Sequence, residues 1–436
     1  MNQHHDHQPE LQPEPSLRPF AVMWGGQAFS LFGSHLVQFA LVWYLTESTG
    51  SATVLAFATM MALLPEVLIS PFAGALVDRW DRRRVMIAAD AGIAVTTLIL
   101  AALFATGSVQ VWHIYAAMLV RATGGAFHWP AMQASTTLMV ARRHLSRVAG
   151  FNQALRGAAA IAAPPLGAIL LGVLPIQGVL AIDVLTALVA IAPLLFIHVP
   201  QPEQAPGERL SVLGDLLAGV RFVGSWPGLL LIIGMVTVIN LLSTPAFSLL
   251  PLMVTDHFRG GALELATLQS AEGIGMIVGG LLLGVWGGFR KRILTALAGL
   301  VGLGLAIVVI GLTPGNLLVL AVGAMFVTGF MVPIVNGSFF GVMQATVPPA
   351  MQGRVLTLTT AGAVTAATLV GLPVAGPVSD MFGVPTWFVV GGVVTALMGV
   401  VGLFIPSITE IEALAAETLG GETAPGGEPT VPVGLE

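Results

Sequence analysis

Cysteine is absent from the 436 residues, which excludes disulfides and thiolate metal sites and leaves the redox compartment open. Charge is scarce as well: 9% of residues are charged, against roughly 25% in soluble domains, so a soluble fold of this size is excluded. The net charge of −5 is scattered, and no basic block invites nucleic acid. The sequence holds no Gly-Lys-Ser/Thr phosphate loop, no His-Glu-x-x-His metal pair and no serine nucleophile set beside an evident base. It therefore offers neither the machinery of an enzyme nor ATP as a direct energy source, and no cofactor or resident metal is implied. His4, His5 and His7 belong to a polar, proline-rich start that lacks the pattern of a cleaved signal peptide and reads as a solvated tail.

What the chain has in abundance is long apolar runs; 56% of its residues are hydrophobic. A bilayer core about 30 Å thick needs about 20 apolar residues per crossing, so the fold class is an all-α membrane protein with about twelve transmembrane helices. A barrel would show short alternating strands instead. Apolar segments fall at 20–44, 53–77, 85–106, 112–139, 148–173, 177–198, 229–251, 263–287, 292–312, 316–344, 354–380 and 384–405. Of the 17 basic residues, 14 lie in alternate connections or the N-terminal tail: Arg18, Arg79, Arg82, Arg83, Arg84, Arg142, Arg143, Arg147, Arg209, Arg221, Arg290, Lys291, Arg292 and Arg354. Because cytoplasmic loops carry the excess of positive residues, both termini are expected inside a plasma membrane.

The longest interior connection, 199–226, opens on PQPEQAPGE and continues with apolar residues at helical spacing, as a linker followed by an amphipathic helix on the inner membrane face does. It sets the expected division: a cytoplasmic tail over 1–19, six-helix bundles over 20–198 and 227–405, and a disordered cytoplasmic tail over 406–436. The bundles echo each other at a shift of about 208 residues. Arg82 to Arg84 correspond to Arg290 to Arg292, Arg147-Val148 to Arg354-Val355, and Pro164 to Pro373. Two similar bundles rocking about a central site are a common transporter plan, which favours transport over a static anchor.

Several local patterns carry a family resemblance. Gly74-Ala-Leu-Val-Asp78-Arg79-Trp80-Asp81-Arg82-Arg83-Arg84 resembles the signature of the major facilitator superfamily, and its Asp-Arg-Trp-Asp-Arg-Arg form is similar to the macrolide-efflux and enterobactin-export branch of drug:proton antiporters. Gly74 permits close helix contact, and Asp78 can pair with Arg79, Arg82, Arg83 or a neighbouring helix end and latch the inner side shut; a merely topogenic loop is the plainer reading. Arg121-Ala-Thr-Gly124-Gly125 resembles a second superfamily motif, associated in proton-coupled members with an arginine that tunes a proton carrier. An arginine near mid-membrane needs a partner or a wet cavity, and depth along the helices makes Glu66 the expected one. Such a pair serves equally as a proton-coupling device or as a structural ion pair. Ala163-Pro164-Pro165-Leu166-Gly167 is similar to the antiporter motif Gly-Pro-x-x-Gly, with alanine in place of the first glycine; Pro164, Pro165 and Gly167 form either a hinge or an ordinary kink.

Cavity candidates follow from polar spacing. Gln27, Ser30, Ser34 and Gln38 stack on one face of the first helix, either lining a cavity or bonding a neighbouring helix. Asn240, Ser243 and Thr244 occupy a matching face in the second half. Glu272 has no basic residue at similar depth in its half and is the second proton-coupling candidate. Arg156 is read as a second buried cation, contacting an acidic substrate or approaching the inner interface. His35 lies off the stripe and reads as packing, while Asp90, Asp183 and Asp380 are placed near membrane edges in structural roles. The resulting expectation is a monomeric secondary active transporter, exporting amphipathic drugs against protons by alternating access in a lipid bilayer. Export of an anionic metabolite or siderophore, or movement of a lysophospholipid, is the alternative.

Overall fold

A computed structural model describes residues 17–77, 79–201 and 212–415, and every regular element among them is helical. The first bundle comprises α1 (Leu17–Thr49), α2 (Ala52–Val77), α3 (Arg82–Ala105), α4 (Val111–Met139), α5 (Leu145–Val173) and α6 (Ile176–Phe196). After α7 (Val212–Gly224), the second begins with α8 (Pro227–Ser248) and the short α9 (Leu250–Leu252), which runs into a π-turn at Met253–His257. It continues with α10 (Ala262–Trp286), α11 (Arg292–Leu312), α12 (Leu318–Thr346) and α13 (Pro349–Ala366). A π-turn at Ala367–Gly371 joins α13 to α14 (Leu372–Phe382), followed by α15 (Val384–Leu403) and α16 (Pro406–Thr409).

Among the described residues eleven stretches are long and apolar enough to cross a membrane, Met351–Phe382 counting as one. The chain is thus an all-α, multi-pass membrane protein. The fourth expected segment forms α4 but is not among the eleven, because His113, Arg121 and His128 dilute its apolar content; it packs along α2 and α3, which both qualify. Lipid tails are as apolar as leucine, so helices here associate by close fit rather than by hydrophobic driving force. Small residues supply that fit: a Cβ at Gly304 would lie 2.3 Å from the Ala396 nitrogen, and one at Gly392 would lie 2.6 Å from that of Val308, so α11 and α15 pack backbone to backbone.

Within the first bundle α1 packs on α5 and α6, α2 on α4, and α3 on α4 and α6; within the second α11 packs on α12 and α15, α10 on α12, and α8 on α13 and α15. The bundles meet along two seams, α2 against α14 and α5 against α10. The arginine clusters stand at matching places, Arg82 opening α3 and Arg292 opening α11. Helix α7 packs on α13 and α8. Two expected boundaries shift. The first helix starts at Leu17, inside the expected tail, and within the expected C-terminal tail α16 covers Pro406–Thr409 and Ile408, Ile411 and Ala415 are buried as an apolar stripe. The remainder of both tails lies outside the described residues.

Candidate functional site

Two polar side chains of α1, Gln27 and Ser34, do not face open space; they tie α1 to α3 and α6. Asp183 on α6 is 1% exposed and receives three donors. Arg121 Nη1 reaches its Oδ2 at 2.5 Å, Thr97 Oγ1 donates to the same oxygen at 3.1 Å, and Ser34 Oγ donates to Oδ1 at 3.3 Å. Arg121 also donates to Thr97. A buried carboxylate is tolerated only when paired and hydrogen-bonded, and this one is both. The partner of Arg121 is therefore Asp183, not Glu66. The expectation failed because depth along helices two and four ignored their facing, while an aspartate on α6 lay nearer.

Asp90 on α3 is buried likewise, at 4% exposure, accepting from Gln27 Nε2 at 2.9 Å with His128 Nε2 at 3.5 Å. Neither aspartate is at a solvated edge. Gln27 and Ser34 are committed to these carboxylates, so helix–helix bonding accounts for two of the four stripe residues, and Ser30 is buried. Gln38 differs and lines a cavity.

Four helices of the first bundle bring a second charged group to open space. Glu66 on α2 and Arg156 on α5 are both exposed and close enough for their charges to interact. The Arg156 guanidinium lies 3.5 Å over the Trp129 ring of α4, a cation–π contact, and its charge also reaches His35 on α1. Arg156 is thus not the buried cation expected from its position in an apolar run.

Between the bundles lies a cavity of about 420 Å³. The first bundle contributes His35, Gln38 and Pro164, and the second contributes Phe247, Gln269 and Glu272. Pro164 lacks the amide proton that would bond the Ala160 carbonyl four residues back, and both residues line this cavity. Gly167, one turn on, receives the Phe39 ring, which a Cβ would approach to 2.7 Å. Pro165 follows inside an unbroken helix. Among the described residues Glu272 has no ion-pair partner. Its backbone is pressed against α12: a Cβ at Gly329 would lie 1.9 Å from the Glu272 carbonyl oxygen, so only glycine allows that approach. Asn240 and Ser243 line a different cavity, of about 390 Å³, inside the second bundle; Thr244 is not part of its lining.

Comparison with known proteins fits this architecture. Residues 23–366 match the profile of the Major Facilitator Superfamily. The chain belongs to that superfamily. Macrolide efflux protein A of Streptococcus pyogenes is 32% identical over 400 residues, covering 91% of this chain and 97% of the relative. The multidrug efflux pump Tap of Mycolicibacterium fortuitum is 29% identical over 399 residues, covering 87% and 94%. Among solved structures, a bacterial homolog of the human lysosomal transporter Spinster superposes with a TM-score of 0.68 at 13% identity, covering 93% of this chain and 99% of that one. The nucleoside transporter NupG gives 0.67 at 16%, covering 88% and 98%. This superfamily chain is a transporter and not an enzyme.

The superfamily's signature loop is held within the first bundle. The side chain of Asp81 caps α3 by accepting from the Arg84 amide at 2.9 Å. Arg83 donates to the Leu194 carbonyl and, at 2.5 Å, to that of Leu195, satisfying the end of α6, while Arg82 Nη1 donates to the Ala134 carbonyl of α4 at 3.0 Å. Arg79 is exposed. Gly74 lies within α2, and Asp78 lies outside the described residues. These side-chain bonds of Arg82 and Arg83 are thus made to helices of their own bundle. The joint across the bundles stands at the opposite end of α2. Asp380 on α14 accepts from the Ala52 and Thr53 amides at 2.7 and 3.1 Å, and from the hydroxyls of Ser51 and Thr53 at 3.2 and 2.6 Å. A carboxylate of one bundle thereby caps a helix of the other, a role the sequence did not reveal beyond its place near a helix end.

Proposed function

We propose that this chain exports amphipathic cationic molecules in exchange for protons, as a monomer in a plasma membrane with both termini cytoplasmic. The observation that carries the reading is Glu272, a carboxylate at the cavity between the two bundles with no ion-pair partner among the described residues. An ionised carboxylate at membrane depth is costly, so it favours either a proton or a cationic ligand. Competition between the two for one carboxylate is what exchange requires, because each then leaves as the other arrives. Glu66, exposed on α2 near Arg156, is a second carboxylate offered to the same exchange.

The places where the bundles touch support alternating access. On this reading the Asp380 joint closes the outer side, and cavity residues face the arginine side. Rocking would break that joint while the signature loop, with Gly74, Asp78, Arg79, Arg82 and Arg83, closes the inner side, and Pro164, Pro165 and Gly167 would bend beside the α5–α10 seam. The relatives named for macrolide and multidrug efflux support drugs as the class; macrolides join a protonatable amine to a large uncharged ring. The exposed Arg156 on Trp129 favours a second reading, an anionic metabolite, siderophore or lysophospholipid. Ethidium and erythromycin efflux from cells lacking their own pumps tests the first. The protein should raise both efflux rates over empty vector, and Glu272→Gln should cut them about tenfold, equivalent to ~1.4 kcal/mol. Efflux equal to the empty vector contradicts it.

A further inference from the structure

The export reading uses the cavity at Glu272 and leaves the second bundle's own cavity unexplained. That space, of about 390 Å³, lies within the range of roughly 300–1,000 Å³ common for small-molecule sites. None of its lining residues is charged. The hydroxyls of Thr328, Thr359 and Thr360 are spent on their own helices, donating to the carbonyls of Ala324, Val355 and Leu356. Asn240 spends one Nδ2 hydrogen on the Val236 carbonyl at 2.9 Å, which leaves its second N–H as a donor and its Oδ1 as an acceptor. Ser243 Oγ is buried without a hydrogen-bond partner, a costly arrangement that a ligand oxygen would relieve. Asn336 is exposed, which gives the cavity a polar and reachable mouth.

We propose that this cavity is a separate subsite for uncharged apolar molecules bearing carbonyl, ether or hydroxyl oxygens, with Phe247 as the partition between it and the Glu272 cavity. Phe247 lines both spaces, and its ring is braced edge-on by Phe388 at 6.1 Å. A cation entering the uncharged cavity would lose its hydration with no carboxylate in return, so charge is sorted to the Glu272 side. Three side chains, Asn240, Ser243 and Asn336, then orient a neutral ligand by hydrogen bonding while the aliphatic walls hold its body. A molecule with a charged amine and a neutral body could place one part on each side of Phe247. The proposal deepens the export reading and rests on it only for the supposition that the bound molecule is cargo.

Nile red, an uncharged apolar dye with a carbonyl acceptor, is a suitable probe for titration against the purified protein in dodecyl maltoside. Saturable binding at one site is expected, with affinity reduced ~tenfold or more by Asn336→Trp, which fills the cavity. The pair Asn240→Ala with Asn336→Ala, which keeps the space but removes the amides, should show the same loss, and thermal melting checks that each variant is folded. Glu272→Gln should leave Nile red affinity within about twofold. Binding that is absent in the wild type, unchanged in both asparagine variants, or lost in Glu272→Gln overturns the subsite. Should the wild type bind the dye through Asn336 yet move no ethidium, the export reading fails while the subsite stands.

Discussion

At the scale of single residues, the first bundle turns on a few buried charges that satisfy one another. Asp183 holds Arg121, Thr97 and Ser34, so removing the cation alone leaves a buried carboxylate with too few donors. Arg121→Leu should destabilise the protein by about 3–5 kcal/mol, and Arg121→Leu combined with Asp183→Leu should recover most of that loss. Melting temperatures in detergent check this; a single variant as stable as the wild type argues against the pairing. The sequence marked Arg121 as a group needing a partner, because an arginine in an apolar run has few ways to survive. It pointed to Glu66 rather than Asp183, since the right choice depends on which faces of α2, α4 and α6 turn inward. The same limit applies to Gln27 and Gln38: one period places both on the same stripe, yet one binds Asp90 and the other lines a cavity.

Elements were legible wherever length decides. Apolar runs bounded by arginines or turn residues gave the helices to within a few residues, and α4, diluted by His113, Arg121 and His128, was still recognisable because its flanks are polar. Less legible was how closely two helices approach. Gly329 looks like one more small residue in an apolar stretch, but in the structure it lets α12 rest on the backbone of Glu272. Gly329→Ala should push α10 away and displace Glu272, reducing ethidium efflux about tenfold, whereas Gly323→Ala, on the same helix with open space around it, should have no effect. Equal efflux in both variants would remove the positioning role given to Gly329. The π-turn at Ala367–Gly371 was also hidden, since nothing in the local composition separates it from an ordinary turn of helix.

For the whole molecule, the repeat of arginine clusters and prolines announced two related bundles, but a carboxylate contact that joins them was invisible. Asp380 appeared as an acidic residue near a helix end; only the fold brings it to the start of α2, where it meets four donors. Asp380→Ala should loosen the outer closure. Since the natural chain has no cysteine, a cysteine placed at Gln38 reports on this directly: a membrane-impermeant maleimide added outside intact cells should label it faster in Asp380→Ala than in the unaltered background. Equal labelling would mean that the joint does not govern access.

In the proposed mechanism a proton and a cationic substrate exchange across one passage. Proteoliposomes of the purified protein, with an acidic interior imposed and ethidium added outside, put that claim to its most direct test. Ethidium should accumulate in the vesicles whose protein presents its arginine side to the medium, and accumulation should collapse when nigericin dissipates the gradient and be absent with Glu272→Gln. Uptake that proceeds at the same rate with and without the gradient, or that survives Glu272→Gln unchanged, would contradict it.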